Sequence, residues 1–198
     1  TGAIEDAEVA FNDNQNTKNL QVLVMAYDLT KQNDKSYELL KNYSASKPQD
    51  LTALMLLAEK EMGKDKGSAI AKYKDALTLN ENNFVVLNNL AYLLMEEDKL
   101  SEAFAFGKRA FDLKPNHAAT VDTYAQILVR QNQPKEALEA YNRVMNEDVK
   151  NEEIFLNYIE TLLLNDSKVI AKRRLESRTF VLPESNTRLA ELKTQYGL

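Results

Sequence analysis

The sequence contains no cysteine and a single histidine, His117, and these two shortages exclude several kinds of site. Without cysteine there is no disulfide, no thiolate metal site and no cysteine nucleophile. One histidine cannot supply the several imidazoles of a histidine zinc site. We therefore expect no metal and no cofactor, and we interpret His117 as a residue that packs or caps a helix.

Glycine and proline are also scarce, with 5 and 4 residues among 198, and this favours long helices over many-turned β-structure. No apolar run approaches the ~18 residues of a transmembrane helix, although a lipid anchor upstream of this sequence remains open. The net charge of -5 comes without the basic stripe that phosphates require. We therefore expect no nucleic acid among the partners.

No group of residues resembles catalytic machinery. There is no glycine-rich phosphate loop and no G-x-S-x-G elbow. No pair of acidic residues stands isolated in an apolar stretch, where burial would raise a pKa for acid–base catalysis. We predict that the protein is not an enzyme.

A period of 34 residues organises the apolar pattern. Residues 84–117 align with residues 118–151 without gaps, so that Ala91 falls on Ala125 and Ala103 falls on Ala137. Each half contains two amphipathic helices, with apolar residues three and four apart, separated by a polar turn. The same period predicts five repeats, at about 17–50, 51–83, 84–117, 118–151 and 152–183.

The small and aromatic residues of the repeat have a mechanical role. We expect the recurring alanines to lie where two helices approach closely. Tyr73 or Tyr141 is expected to fill the neighbouring gap. Gly107 takes that aromatic position in one repeat, which predicts either a local hole or the entry of a neighbouring side chain.

This pattern resembles the tetratricopeptide repeat, a 34-residue helix–turn–helix unit, over about residues 17–183. The resemblance rests on the small-residue positions, the aromatic position and the terminal prolines Pro48 and Pro115. The sequence departs from the family in having no tryptophan and in carrying Glu81 and Val149 where those prolines would recur. The resemblance implies an all-α fold, a right-handed α-solenoid of antiparallel helix pairs forming a single domain over 1–198.

The two ends are expected to differ from the repeats. Residues 1–16 read as a half-repeat, with one second helix over 3–13, and residues 184–198 as a C-terminal capping helix after Pro183. We therefore interpret the chain as a fragment of a longer array. The apolar face of residues 3–13 would then be bare, and dimerisation through that end is an expected consequence.

The tetratricopeptide family binds extended peptides or partner helices along the face made by the first helices. Carried over by position, this resemblance predicts a groove for a protein or peptide partner. It suits an uncharged or basic segment, because carboxylates stand where relatives that clamp a terminal carboxylate carry cations. The predicted groove residues are Met55, Glu59, Asn88, Tyr92, Met95, Asp122, Gln126, Val129, Arg130, Asn157 and Glu160.

Two of these positions also have a structural interpretation. Asn88 and Asn89 would hold neighbouring helices together by bonding to loop carbonyls, because buried amides are usually hydrogen-bonded. Asp122 would stabilise its helix from a position near the helix beginning, where a negative charge is favoured. The sequence leaves both interpretations open beside the groove.

Three segments together are similar to the last repeats of long bacterial tetratricopeptide lipoproteins of exopolysaccharide and PEP-CTERM protein-sorting systems. They are "LNNLAYLL" (Leu87–Leu94), "AATVDTYAQILV" (Ala118–Val129) and "PKEALEAYNRVM" (Pro134–Met145). This resemblance implies a non-catalytic scaffold in the cell envelope or periplasm. The alternative is a cytoplasmic adaptor or regulator of the same fold.

A basic helix over 168–178 supports a third hypothesis, binding of a polysaccharide or another anionic ligand. Its cations are Lys168, Lys172, Arg173, Arg174 and Arg178. The competing interpretation is an ordinary solvated face, with Val169, Ile170 and Leu175 packed on the other side.

Overall fold

The structure is a computed structural model that describes residues 2–145 and 149–198, and every regular element among those residues is an α-helix. The predicted all-α class of consecutive helix pairs is confirmed. Residue 1 of the predicted half-repeat and residues 146–148 of the predicted 118–151 repeat lie outside the described residues. The helices are α1 (Gly2–Asp13), α2 (Thr17–Leu29), α3 (Asn33–Ser46), α4 (Leu51–Met62), α5 (Lys66–Leu79), α6 (Phe84–Glu96), α7 (Leu100–Leu113), α8 (Ala118–Arg130), α9 (Pro134–Tyr141), α10 (Glu152–Leu164), α11 (Lys168–Glu176) and α12 (Pro183–Tyr196).

The chain divides into two compact units, Thr1–Val86 and Leu87–Leu198. Unit 1 contains α1 to α5, and its core is built around Leu20, Leu40 and Ala53, none of which has exposed surface. Unit 2 contains α7 to α12 and all of α6 after Val86. Its core includes Leu156 and Ile159, which are equally buried.

The first helices begin at side chains that accept backbone hydrogen bonds. Asn16, Asp50 and Asn151 each accept from the N–H three residues later, at 2.9, 3.0 and 3.1 Å, and so satisfy one of the free donors of a helix N-terminus. Before α6, Asn83 accepts hydrogen bonds from the backbone N–H groups of Val85 and Val86. His117 occupies the same position before α8, where its Nδ1 lies 3.0 Å from the hydroxyl of Thr120.

Asp50 joins three helices of unit 1. Besides capping α4, its carboxylate accepts hydrogen bonds from the hydroxyls of Thr17 on α2 and Tyr43 on α3. Burial opposes ionisation of Asp50, but these bonds and that from Ala53 prevail, so the pKa of the carboxyl is lowered. One side chain therefore fixes the packing of α2, α3 and α4.

Within the described residues, four turns between paired helices place a non-glycine residue in the left-handed region. Lys31, Asp98, Asn132 and Asp166 have φ of 60°, 56°, 61° and 55°. Aspartate and asparagine tolerate this conformation better than most residues, whereas lysine has no such preference. The turn before α3 therefore carries local backbone strain.

The small residues pack as predicted. Ala91, Ala103, Ala125 and Ala137 have no exposed surface, and neither has Tyr141. The prediction that a neighbouring side chain enters the space beside Gly107 of α7 is confirmed as well. A neighbouring side chain, Ile127, enters the space, and its Cδ1 lies 2.9 Å from where a Cβ of Gly107 would stand.

Helix α12 is attached to the beginning of α10. The Glu152 carboxylate accepts hydrogen bonds from the backbone N–H groups of Val181 and Leu182 at 2.8 and 3.2 Å. These bonds lower the pKa of the Glu152 carboxyl. Leu192 of α12 is buried in the core of unit 2, so α12 covers one face of that unit.

Candidate functional site

The predicted groove residues are divided between the two units. Met55 and Glu59 lie on α4 of unit 1, where Glu59 is exposed and the sulfur of Met55 lies 3.6 Å from Nδ2 of Asn83. The other predicted residues lie on α6, α8 and α10 of unit 2. The candidate site lies in unit 2.

Unit 2 has a pocket of about 220 Å³ between α8, α10 and α12. Its walls combine apolar side chains, uncharged polar groups and two arginines. We call it the α8–α10–α12 pocket, and it is lined by Gln126, Val129, Arg130, Asn157, Glu160, Thr161, Leu164 and Arg188. Five of these residues belong to the predicted groove.

A buried carboxylate lies beneath the pocket. Asp122 accepts hydrogen bonds from the hydroxyl of Tyr141 at 2.6 Å, from Nδ2 of Asn157 at 2.9 Å and from Nε2 of Gln126 at 2.7 Å. These four residues, the Asp122 cluster, connect α8, α9 and α10. Two members of the cluster, Gln126 and Asn157, also line the pocket.

The environment of Asp122 disfavours its charge. Burial raises the pKa of its carboxyl above the usual range, although hydrogen bonds from Tyr141, Asn157 and Gln126 favour the ionised form. The negative charge of Glu153 raises it further. Burial, and then the neighbouring carboxylate, also raise the pKa of the Tyr141 hydroxyl well above its ordinary value. The hydroxyl therefore remains a donor.

Both arginines of the pocket are held by carboxylates. Arg130 donates through Nη1 to the carbonyl of Met95 at 2.8 Å and through Nη2 to Glu96 at 2.7 Å. Arg188 of α12 donates to Glu160 of α10 at 2.9 Å. Each guanidinium is thus neutralised locally, and neither is a free anion-binding group.

The structure corrects two of the predicted groove residues. Met95 has no exposed surface, because Arg130 reaches back from α8 over the end of α6 and the flexible methionine side chain is enclosed in the core. Asp122 is also buried, and its oxygens are occupied by three donors. It lies beyond the first turn of α8, so a stabilising effect of the helix dipole does not explain its position.

The remaining positions on α6 differ from each other. Tyr92 is 41% exposed, as predicted for a residue of the groove face. Burial and the charges of Glu96 and Glu153 raise the pKa of its hydroxyl. Asn88 is half-buried, and its Oδ1 is enclosed without a hydrogen-bond partner. The predicted structural role, a bond from the amide nitrogen of Asn88 to a loop carbonyl, does not involve that oxygen and stays a prediction.

The comparisons with known proteins agree with this architecture. Residues 94–156 match the family model of the tetratricopeptide repeat, a stretch that contains α7 to α9 and most of the Asp122 cluster. The chain therefore contains tetratricopeptide repeat sequence over residues 94–156 and has the all-helical fold of these repeats. No curated protein sequence matches it.

Several solved tetratricopeptide structures share the fold at low sequence identity. PilF of Pseudomonas aeruginosa is similar with a TM-score of 0.72 and 18% identity, over 98% of this chain and 86% of that one. YrrB, described as a tetratricopeptide protein with an unusual peptide-binding site, has a TM-score of 0.68 and 16% identity over 88% and 91%. MamA has a TM-score of 0.66 and 14% identity over 100% and 98%.

The basic helix is only partly available to a ligand. Lys168, Lys172 and Arg173 are exposed. Arg178 instead donates to the carbonyls of Val149 and Lys150 at 2.6 and 2.8 Å. Its guanidinium also lies 4.5 Å from the centre of the Phe155 ring. Arg178 is therefore a structural residue.

The predicted packing of α11 is wrong for two residues. Val169 is 72% exposed and Ile170 is 48% exposed, whereas Leu175 is buried as expected. Helix α11 turns Ala171 and Leu175 towards the core, and residues 169 and 170 point away from both positions. The solvated-face interpretation therefore includes these two apolar side chains.

Among the described residues, no helix combines the length and apolarity needed to cross a bilayer. Over residues 2–145 and 149–198, no three acidic or histidine side chains are grouped so that they could hold a metal ion.

Sequence reasoning missed three residues of the pocket, Thr161, Leu164 and Arg188. A usable signal was present in the spacing. Asn157 and Asp122 are 35 residues apart, close to one repeat period, and residues one period apart occupy matching places on neighbouring first helices. Applying that spacing to Gln126 and Val129 leads to Thr161 and Leu164. Arg188 had no such signal, because α12 follows the last complete repeat.

Proposed function

We propose that this protein is a non-catalytic interaction scaffold and that a segment of a partner protein binds in the α8–α10–α12 pocket. The observation that carries the proposal is an open pocket with apolar walls and amide groups, formed by the first helices of two consecutive repeats. Tetratricopeptide repeat proteins bind peptide or protein partners, and YrrB is described as having a peptide-binding site.

The chemistry of the walls suits a peptide. Val129 and Leu164 offer apolar contact, and Leu164 is 41% exposed. Gln126 and Asn157 offer amide oxygens that can accept hydrogen bonds. A partner segment would bury the apolar surface and retain its hydrogen bonds, and both are requirements of a specific interface.

A blocking substitution tests the site. Leu164→Arg would place a long cationic side chain at the mouth of the pocket. Leu113→Arg is a matched control, because Leu113 is also the last residue of its helix, lies outside the pocket lining and is 42% exposed. The assay is a quantitative pull-down from cells of the source organism, after circular dichroism has shown that both variants are as helical as the parent.

We expect the parent and Leu113→Arg to retain the same partner, and Leu164→Arg to lose it. Retention of that partner by both variants would contradict the proposed site. Equal loss from both would assign the effect to surface charge in general rather than to the pocket.

The finer proposal is a role in bacterial exopolysaccharide or protein-sorting assembly, in the cell envelope. Its support is the resemblance carried by residues 87–92 and 122–123 to lipoprotein repeats of such systems. The alternative is a cytoplasmic adaptor. Fractionation of source cells separates the two, because an envelope scaffold is recovered with membrane or periplasmic markers and a cytoplasmic adaptor is not.

A further inference from the structure

The amide groups of Gln126 and Asn157 have a defined orientation in the pocket. Both direct their nitrogen atoms to the carboxylate of Asp122. An ionised carboxylate only accepts hydrogen bonds, so neither amide can turn its oxygen towards Asp122 without losing the bond. Within the described residues, no group donates to the two amide oxygens. These two amides therefore present hydrogen-bond acceptors to the pocket.

The other polar group on this side of the pocket is also an acceptor. Glu160 uses Oε2 to bind Arg188, and a carboxylate has further lone pairs to offer. Thr161 does not add a donor, because its hydroxyl donates to the backbone carbonyl of Asn157 at 2.8 Å. A partner group that binds these acceptors must supply N–H or O–H donors.

The charges around the pocket favour a cation. Arg130 is paired with Glu96 and Arg188 with Glu160, so these four groups cancel. Asp122 has only neutral hydrogen-bond partners, and its negative charge is left without a counterion. A positive group above the amides would be separated from that buried carboxylate by the two amide groups and would be attracted to it.

The size of the pocket limits the occupant to one side chain. About 220 Å³ is below the roughly 300–1,000 Å³ typical of pockets for whole small molecules. Val129 and Leu164 form apolar walls that suit the methylene stem of a long side chain. Asn157 is 6% exposed and Leu164 is 41% exposed, so the amide lies deeper than the leucine, where the end of such a side chain would reach.

We propose that the α8–α10–α12 pocket receives a lysine or arginine side chain of the partner segment, whose N–H groups bind the oxygens of Gln126, Asn157 and Glu160. This inference rests on the proposed function and names the residue that the partner inserts. Asp122 is a positioning residue in this arrangement, because it contacts no partner atom and holds both amides by their nitrogens.

Four short peptides test the inference, acetyl-Ala-Ser-Ala-X-Ala-Ser-Ala-amide with X as lysine, arginine, norleucine or glutamate. Each is titrated into the ¹⁵N-labelled protein, and the backbone and side-chain amide signals of α8 and α10 are followed by NMR. We expect the lysine and arginine peptides to shift the side-chain amide signals of Gln126 and Asn157. Their affinity should exceed that of the norleucine peptide by about tenfold, the effect of one good charge-assisted contact.

Two variants separate the pocket from the overall charge. Glu160→Gln removes an acceptor charge and frees Arg188, so binding of the lysine peptide should weaken by about tenfold. Glu139→Gln changes the net charge equally at an exposed position of α9 outside the pocket and should leave binding unchanged. Equal effects of the two variants would overturn the inference.

The outcomes distinguish this inference from the proposed function. If the norleucine or glutamate peptide binds the pocket as tightly as the lysine peptide, a peptide site exists but its selectivity for cations is wrong. If none of the four peptides shifts signals of α8 or α10 at millimolar concentration, the cation site and the pocket as a peptide site are both overturned.

Discussion

Gly107 of α7 and Ile127 of α8 share a space that accommodates only one methyl group. A Cβ on Gly107 would lie 2.9 Å from Cδ1 of Ile127 and 3.5 Å from Cβ of Ala91. Carbon atoms in favourable contact are about 3.5–4.0 Å apart, so the new methyl group would overlap Ile127 by up to about 1 Å. Ile127 is fully buried and has little room to retreat.

Two effects of opposite sign follow from Gly107→Ala. Alanine favours a helix interior over glycine by about 0.8–1.0 kcal/mol, whereas overpacking a core costs about 1–3 kcal/mol. We expect overpacking to prevail and the free energy of unfolding to fall by about 1 kcal/mol. Ile127→Val alone deletes Cδ1 and should also cost about 1 kcal/mol.

The double variant should behave differently from either single change. The methyl group added at residue 107 occupies the space left by the one removed at residue 127, so volume is conserved. The helix preference of alanine then remains as a gain. We expect the double variant to be about as stable as the parent, which is a coupling of about 2 kcal/mol between the two sites.

Urea denaturation followed by circular dichroism measures this coupling across the four proteins of the cycle. The midpoints should change while the urea dependence of the free energy does not, because the unfolded surface is the same. Additive effects of the two substitutions, within about 0.5 kcal/mol, would refute the claim that Ile127 fills the space at Gly107.

Three further predictions concern other parts of the chain. Tyr141→Phe removes a donor to the buried Asp122 carboxylate and should cost about 1.5–3 kcal/mol of stability in urea denaturation; a loss below about 0.5 kcal/mol would show that this bond is unimportant. Lys31→Gly relieves a left-handed lysine and should raise the free energy of unfolding by up to about 1 kcal/mol, whereas any clear destabilisation would contradict the strain. The lowered pKa of Glu152 stabilises the fold above its ordinary value of 4.5, and this contribution disappears as the pH falls through that value towards the lower folded-state pKa. The midpoint of thermal unfolding should therefore decline more steeply below pH 4.5 in the parent than in Glu152→Gln, and parallel pH profiles would exclude the role of this carboxylate.

The helices were predictable because their causes are local. Apolar residues three and four apart, polar turns and a 34-residue period identify helix pairs without tertiary information. The alanines at close approaches and the aromatic at Tyr141 follow from the same period, and both are buried as expected. The capping residues Asp50 and Asn151 were not predicted, although a short polar side chain before an apolar run marks a helix start.

The candidate site was only partly predictable. Position in the repeat led to Gln126 and Val129, which line the α8–α10–α12 pocket, and to Tyr92, which is 41% exposed, and their role in binding stays a prediction. The same rule placed Met95 and Asp122 on an open surface, and both are buried. A position in a repeat specifies which way a side chain leaves its own helix, but not how closely the next helix covers it.

The sequence by itself determined the helical class, the repeat period and the recurring small residues of the core, because these depend on spacing within one or two helices. Tertiary structure decided which polar residues meet. Asp122, Tyr141 and Asn157 come from three helices, and only their packing places the carboxylate under the pocket and turns two amide nitrogens towards it. Arg188 joins Glu160 because α12 packs on α10. The acceptor character of the pocket therefore arises from contacts between repeats, and no single repeat contains it.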